Sequence, residues 1–188
     1  MAAQSTLKNM VLCLTLVCLI CSAILALVYA VTSEPIKAAE QKALVESISR
    51  VLPEGGELSD VATGEFAGQK YDYYVSTTGG VPAAYAVKSS TIGFGGPLTL
   101  MVGVLPDGSV YNTSVLSHSE TPGLGAKCAT DAKFMDQWKG LGADKVIKVT
   151  KDGGDIDAIT ASTITSRAYS LAVSNAVAFV KSIIKEEE

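Results

Sequence analysis

Between Lys8 and Glu34 no residue carries a charge, and the stretch from Met10 to Thr32 is dominated by Leu, Val, Ile, Ala and Cys. At a rise of ~1.5 Å per residue, such a helix crosses a hydrocarbon core ~30 Å thick with slight tilt. The run is longer than the apolar region of about 7–15 residues in a secretory signal peptide. It therefore reads as an uncleaved, single-pass anchor, with residues 1–33 forming the tail and the transmembrane helix. Lys8 is the nearest cation to the span, whereas Glu34, Lys37, Glu40 and Lys42 nearly cancel on the far side. Lys8 points to an N-terminus in the cytoplasm and a large domain outside.

Beyond the anchor the 188-residue chain leaves enough length for one domain with a core of its own. Its net charge of -4 and 6% aromatics, with no basic stripe, argue against nucleic-acid binding. A single histidine, His118, and four cysteines supply metal chemistry poorly. Cys13, Cys18 and Cys21 lie in the apolar run, and Cys128 stands alone. No Cys-x-x-Cys-His string is present, which excludes c-type haem attachment. The Cys18–Cys21 spacing reads as coincidence within an apolar helix rather than a redox pair.

After Pro35, apolar residues from Ala38 through Leu44, Ile48 and Leu52 recur at helical spacing until Pro53-Glu54-Gly55-Gly56. Residues 34–60 are thus expected to form a connecting helix and turn, with residues 61–188 as the domain. Strands are expected at 71–76 and 83–89 around Gly79-Gly80. A hairpin of 98–105 and 110–116 is expected about Pro106-Asp107-Gly108. A short helix is expected over 131–138, a further strand over 146–150, and a final helix over 164–184. The inward face of that helix would hold Ala168, Leu171, Ala172, Ala176, Val180, Ile183 and Ile184. Strands and helices without βαβ alternation predict an α+β fold with an antiparallel sheet and flanking helices. The Glu186-Glu187-Glu188 tail is expected in solvent.

Two segments carry chemistry. Asp157-Ala158-Ile159-Thr160-Ala161-Ser162-Thr163-Ile164-Thr165-Ser166 enters the final helix, whose first N–H groups have no intrahelical partners and whose dipole favours an anion. Read alone, such hydroxyls are more often plain N-caps. Glu120-Thr121-Pro122-Gly123-Leu124-Gly125 combines a stiffening proline with glycines that allow backbone close to a flat ligand. Gly93-Phe94-Gly95-Gly96-Pro97 is a second glycine-rich approach. Each alone is an ordinary turn signal.

Together, GFGGPLTLMVGV, DGSV, VLSHSETPGLGAK and DAITASTITS, over about residues 85–185, resemble the FMN-binding domain of the G subunit of the Rnf complex. That complex is the membrane-bound ferredoxin:NAD oxidoreductase that translocates Na+ or H+. The FMN-binding C subunit of the Na+-translocating NADH:quinone reductase is similar but usually longer, and a membrane-anchored FMN sensor or a flavin-free scaffold are readings of other classes. The resemblance implies covalent FMN, its phosphate esterified to the last Thr of an [ST]-G-A-T sequence. Carried over, the attachment residue is Thr163, Thr160 is the first hydroxyl, and Asp157 is the acidic residue recognised by the flavin transferase during maturation. Ala161 stands where Gly is common and Ser162 where Ala is common. Ser162 and Thr165 are therefore competing hydroxyls.

By the same resemblance, amides near Ile164 and Thr165 meet the phosphate, with Arg167 either a further donor or a solvated helix residue. Amides from Gly123 to Gly125 bond the flavin's polar edge and Leu124 packs on its face. Glu120 either accepts from the ring or holds the loop, and Thr121 is either a flavin donor or a turn residue. His118 reads as structural, and Trp138 and Tyr85 as core. No acid, base and nucleophile set stands out, so the chain is expected to be an electron relay among other Rnf subunits rather than a complete enzyme.

Overall fold

The computed structural model describes residues 6–187, with side chains to residue 185. The free amino terminus and the side chains of the acidic tail Glu186–Glu188 lie outside the described residues. The chain divides into two units, Met1–Ala43 and Leu44–Glu188. The first is helical: helix α1 runs from Leu7 to Val51, and its apolar residues from Met10 to Val31 are exposed along their whole length. Among the described residues this is the one helix long and apolar enough to cross a membrane. A membrane would cover these otherwise unsupported side chains.

The anchor helix and the connecting helix expected after Pro35 are one continuous helix, and Pro35 lies inside α1. Proline removes one backbone donor and crowds the carbonyl four residues earlier. The flanking Lys37-Ala38-Ala39-Glu40-Gln41-Lys42-Ala43 is rich in strong helix formers, so the helix continues through the missing bond.

In the second unit the last turns of α1 bury Ser47, Ile48 and Val51, and Leu52 follows them into the core. The turn at Pro53–Gly56 ends the helix as expected, with Gly55 at φ +89°. A six-stranded antiparallel sheet follows: β1 (Glu57–Leu58), β2 (Ala62–Phe66), β3 (Gln69–Thr78), β4 (Val81–Ile92), β5 (Pro97–Val104) and β6 (Val110–His118). Its order is β1-β3-β4-β5-β6, with β2 also paired to β3. The short strands β1 and β2 are additions to the expected set. The β5–β6 hairpin forms where expected, and Asp107 Oδ1 accepts from the Ser109 amide at 2.8 Å to close its turn.

Alternation along β4 divides the core. Ala84 and Ala86, with Met101, meet Ile48, Val51 and Leu52 on one face; Tyr85 and Val87 join Leu98, Leu100 and Val102 in the larger core on the other. Gly103 is required beneath α1, because a Cβ there would strike the Val51 carbonyl.

The larger core is roofed by helix α3 (Thr163–Glu187). Ser89 and Thr91 of β4 donate to the Ala172 and Ala168 carbonyls at 2.8 and 2.9 Å, tying the sheet to the helix. Tyr169 shares a 2.7 Å hydrogen bond with Thr113 of β6 and stacks on Trp138 with ring centroids 4.9 Å apart. Trp138 and Tyr85 are both core residues, as the sequence indicates.

Three expectations change. Leu171 is 54% exposed, and Tyr169, Val173, Val177 and Phe179 take its place in the core. Residues 146–150 form no strand. They enter a compact loop in which Val149 makes only an isolated bridge to Ile156 before a 3-10 turn at Thr150–Asp152. The short helix, α2, is confined to Ala132–Asp136, capped by the Asp131 carboxylate accepting from the Lys133 amide.

Candidate functional site

Three segments converge at one end of the sheet. The turn after β4 closes with Gly93 N–H donating to the Gly96 carbonyl at 2.8 Å. The loop after β6 is drawn together by the Thr121 carbonyl, which accepts from the amides of Leu124 and Ala126 at 3.2 and 3.1 Å. The Leu124 amide is therefore already committed within the loop, and the Thr121 backbone serves its turn. The third segment is the N-terminus of α3.

Glu120 joins them. Its side chain is buried, and Oε1 accepts from the amides of Phe94 and Gly95 at 2.8 and 3.3 Å. Oε2 accepts from Thr165 Oγ1 at 2.8 Å. Of the two roles left open by the sequence, loop bonding is the one the geometry displays. Gly93 and Gly125 leave the carboxylate its room, since a Cβ at either would strike a Glu120 oxygen. His118 positions the same residue, its Nδ1 accepting from the Glu120 amide at 3.2 Å. Behind the clamp, burial and the Glu120 carboxylate push the Cys128 thiol up to about 11. Cys128 is thus a core thiol rather than a nucleophile.

At the helix entrance, Ala161 adopts φ +62°, a left-handed angle unusual for a side chain with a Cβ. This turn places Ser162 inward and Thr163 outward. Ser162 and Thr165 are 7% and 1% exposed, whereas Thr163 is only half-buried and its hydroxyl makes an exposed contact. Lys151, which no sequence motif marks, brings Nζ within 3.4 Å of Thr163 Oγ1 from the 3-10 turn. Arg167 is instead held by Asp152, donating Nε and Nη2 to its two oxygens at 2.6 and 2.7 Å. That pairing lowers the Asp152 carboxyl below its usual range.

The converging segments enclose a cleft of about 380 Å³ lined by Phe94, Glu120, Thr121, Leu124, Gly125 and residues 161–165. Phe94, Leu124 and Ile164 give it exposed apolar walls, at 69%, 46% and 51% exposure. Eight of the residues expected at the site, Thr163, Ser162, Ile164, Thr165, Glu120, Thr121, Leu124 and Gly125, come together there. Thr160, Gly123 and Asp157 lie outside the lining. Asp157 has an exposed side chain, and its backbone amide and carbonyl bond the Gln137 side chain at 2.7 and 3.2 Å.

Comparison with known proteins gives two family matches: an FMN-binding domain over residues 93–178 and the RnfG N-terminal region over residues 1–51. The G subunit of the proton-translocating ferredoxin:NAD(+) oxidoreductase complex of Clostridium ljungdahlii is 38% identical over 166 residues, covering 87% of this chain and 86% of the relative. The G subunit of the ion-translocating oxidoreductase complex of Shewanella baltica is 35% identical over 179 residues, covering 87% and 84%. A crystal structure of the C subunit of Na(+)-translocating NADH-quinone reductase from Parabacteroides distasonis aligns at TM-score 0.44 and 27% identity, covering 56% of this chain and 58% of that one.

Proposed function

The chain belongs to the family of G subunits of the ion-translocating ferredoxin:NAD oxidoreductase complexes, and on that premise we propose that it holds FMN by an ester between the flavin phosphate and Thr163. It is an FMN-binding, electron-transfer subunit of a membrane translocase, anchored by its N-terminal helix and working with other subunits of the complex. The alternatives of a quinone-reductase subunit, a sensor or a scaffold give way to this reading.

The cleft fits the group. Its volume of about 380 Å³ lies in the range of small-molecule sites, ~300–1,000 Å³. Phe94, Leu124 and Ile164 offer apolar surface for a flat ring system. The opening amides of α3 and its dipole offer a place for the phosphate. When bound, FMN supplies the electron-transfer chemistry that no side chain here provides. Glu120 keeps the three walls in register by accepting from Phe94, Gly95 and Thr165, and so orients the group without touching electrons.

The observation that carries the reading is the contrast among hydroxyls. Thr163 is accessible at the cleft, while Ser162 is buried and Thr165 is both buried and bonded to Glu120. Thr160 is accessible but outside the cleft. A flavin transferase that grips an exposed loop, with Asp157 as part of its recognition motif, would reach Thr163 first. Covalent attachment suits a domain on the outer face of the membrane, where a dissociated flavin would be lost.

Mass spectrometry of protein expressed with a flavin transferase tests the attachment. One added FMN on the peptide containing Thr163 is expected, and Thr163→Val should abolish in-gel flavin fluorescence. A fluorescent variant would move the attachment to another hydroxyl, and an unmodified wild type would remove the covalent reading. Protease added to intact spheroplasts should cleave the domain; full protection would put it in the cytoplasm.

A further inference from the structure

The geometry points to Lys151 as the residue of this chain that receives the incoming flavin phosphate at Thr163 and then stays as the counter-charge of the ester. This inference rests on the covalent attachment proposed above and deepens it.

Four observations set Lys151 apart. It lies twelve residues before Thr163, on a different element, yet its Nζ is 3.4 Å from the Thr163 hydroxyl. The turn that carries it is pinned: Gly153, at φ +78°, donates to the Thr150 carbonyl, and the Thr150 amide donates to Ile156 at 2.8 Å. The neighbouring cation is already engaged, because Arg167 makes both of its bonds to Asp152. Among the described residues no carboxylate forms an ion pair with Lys151. The Asp152–Arg167 pair therefore has a second consequence. It engages the one carboxylate next to Lys151 in sequence, and leaves that ammonium within reach of the Thr163 hydroxyl.

The chemistry needs a cation there. A free phosphate monoester does not esterify a hydroxyl in water, so the donor carries an activated flavin phosphate, and a flavin dinucleotide whose pyrophosphate is split supplies one. Thr163 Oγ attacks the flavin-side phosphorus and an O–P bond forms. The bridging P–O bond breaks, and its electron pair leaves with a nucleoside monophosphate. The hydroxyl proton passes to a base of the transferase. No electrons are exchanged with any other group. Lys151 takes no proton in this step. It donates to the phosphoryl oxygens that gain charge as the bridge breaks, together with the opening amides of α3. The product carries about one negative charge beside the same ammonium. Ser162 and Thr165 have no such partner among the described residues, so Lys151 also favours Thr163 over its neighbours.

The test is the initial rate of flavin attachment to the full-length chain in detergent, with a flavin transferase and flavin dinucleotide, read by intact mass. An unmodified wild type would defeat the covalent reading itself, whatever Lys151 does. Given a modified wild type, Lys151→Gln should slow attachment by about three- to fivefold at low salt, the scale of an exposed charge–charge contact. Lys151→Arg should recover most of the rate, and high salt should narrow the gap between wild type and Lys151→Gln. Equal rates for Lys151→Gln and wild type, or no recovery by Lys151→Arg, would overturn the assignment. Melting temperatures separate charge from scaffold. Flavin-free Lys151→Gln should match flavin-free wild type, while the flavin-bearing forms should differ. A drop of the same size with and without flavin would make Lys151 a structural residue and end the proposal.

Discussion

The Thr165 hydroxyl donates to Glu120 Oε2 at 2.8 Å, joining the first turn of α3 to a loop 45 residues earlier in the chain. The same carboxylate accepts from the Phe94 and Gly95 amides. One buried group thereby fixes the spacing of all three cleft walls. Removing it leaves the buried Thr165 hydroxyl and two part-buried amides without their acceptor, at about 1–3 kcal/mol for an unsatisfied buried group. Glu120→Ala is therefore expected to lower unfolding stability of the flavin-free protein by about 2–3 kcal/mol, measured by chemical denaturation. Glu120→Gln keeps the shape but turns an amide NH₂ toward donors, so about half that loss is expected. Equal stability of Glu120→Ala and wild type would show that water replaces the carboxylate and that the clamp does not set the cleft.

The glycines around that carboxylate separate two kinds of requirement. At Gly125 a Cβ would meet Glu120 Oε2, and would lie 2.8 Å from Thr165 Oγ1. At Gly123, φ is +77° and nothing lies within 4 Å of a new Cβ. Gly125→Ala should break the clamp, lose about 2 kcal/mol of stability and sharply reduce the flavin incorporated at Thr163. Gly123→Ala should cost only the left-handed angle, about 1 kcal/mol, with flavin incorporation unchanged. Denaturation curves and flavin-to-protein absorbance ratios measure both. The pair is informative because the two glycines are two residues apart in one loop, yet act through different physics.

Much of this arrangement is legible in the sequence. The 3.6-residue pattern of α3, the Pro-Asp-Gly hairpin and the hydroxyl run before a helix each carry a local signal, and each lies where its chemistry predicts. What cannot be read there depends on distant partners. Glu120 takes its role from backbone amides at residues 94 and 95 and from Thr165, none of which a sequence pattern links to it. Lys151 reaches Thr163 only because residues 142–156 fold back on themselves, and that same folding makes the apolar run at 146–150 a loop. Leu171 departs from expectation for a simpler reason. The core face of α3 is centred on Tyr169, Ala172 and Ala176, and Leu171 points about 140° away from that centre at ~100° per residue. β1 gives no strand signal because it is two residues long and both are exposed, and β2 because two of its three inward positions, Ala62 and Gly64, carry little apolar surface.

Ala161 sits at φ +62° immediately before the helix that presents Thr163. A left-handed angle costs a residue with a Cβ roughly 1–2 kcal/mol, while glycine takes it freely but loses more entropy on folding, about 0.4–1 kcal/mol. Ala161→Gly should therefore stabilise the protein by about 0.5 kcal/mol, and the β-branched Ala161→Val should destabilise it by at least ~1 kcal/mol. Urea denaturation at one pH and temperature checks both signs. A stabilising Val variant would mean that the turn relaxes to a negative φ and that Thr163 is presented differently.

Alkaline pH should expose the core chemistry behind the cleft. Burial and the nearby Glu120 carboxylate raise the Cys128 thiol from 9.0 to about 11. Burial also raises the Tyr169 hydroxyl well above 10.0, against the opposing effect of its Thr113 hydrogen bond. Both groups hold their protons more tightly folded than unfolded. The unfolded chain therefore releases protons first, and unfolding becomes easier as pH rises. Stability from Cys128 should be fully present below about pH 9, decline between 9.0 and about 11, and be gone above that. The Tyr169 contribution should begin to fall only above 10.0. Denaturation midpoints taken from pH 7 upward should show a decline that starts near 9, with Cys128→Ala lower throughout but flat until about 10. If Cys128→Ala shows the same early decline as wild type, the thiol is not the group that titrates and the solvent reaches the region behind Glu120.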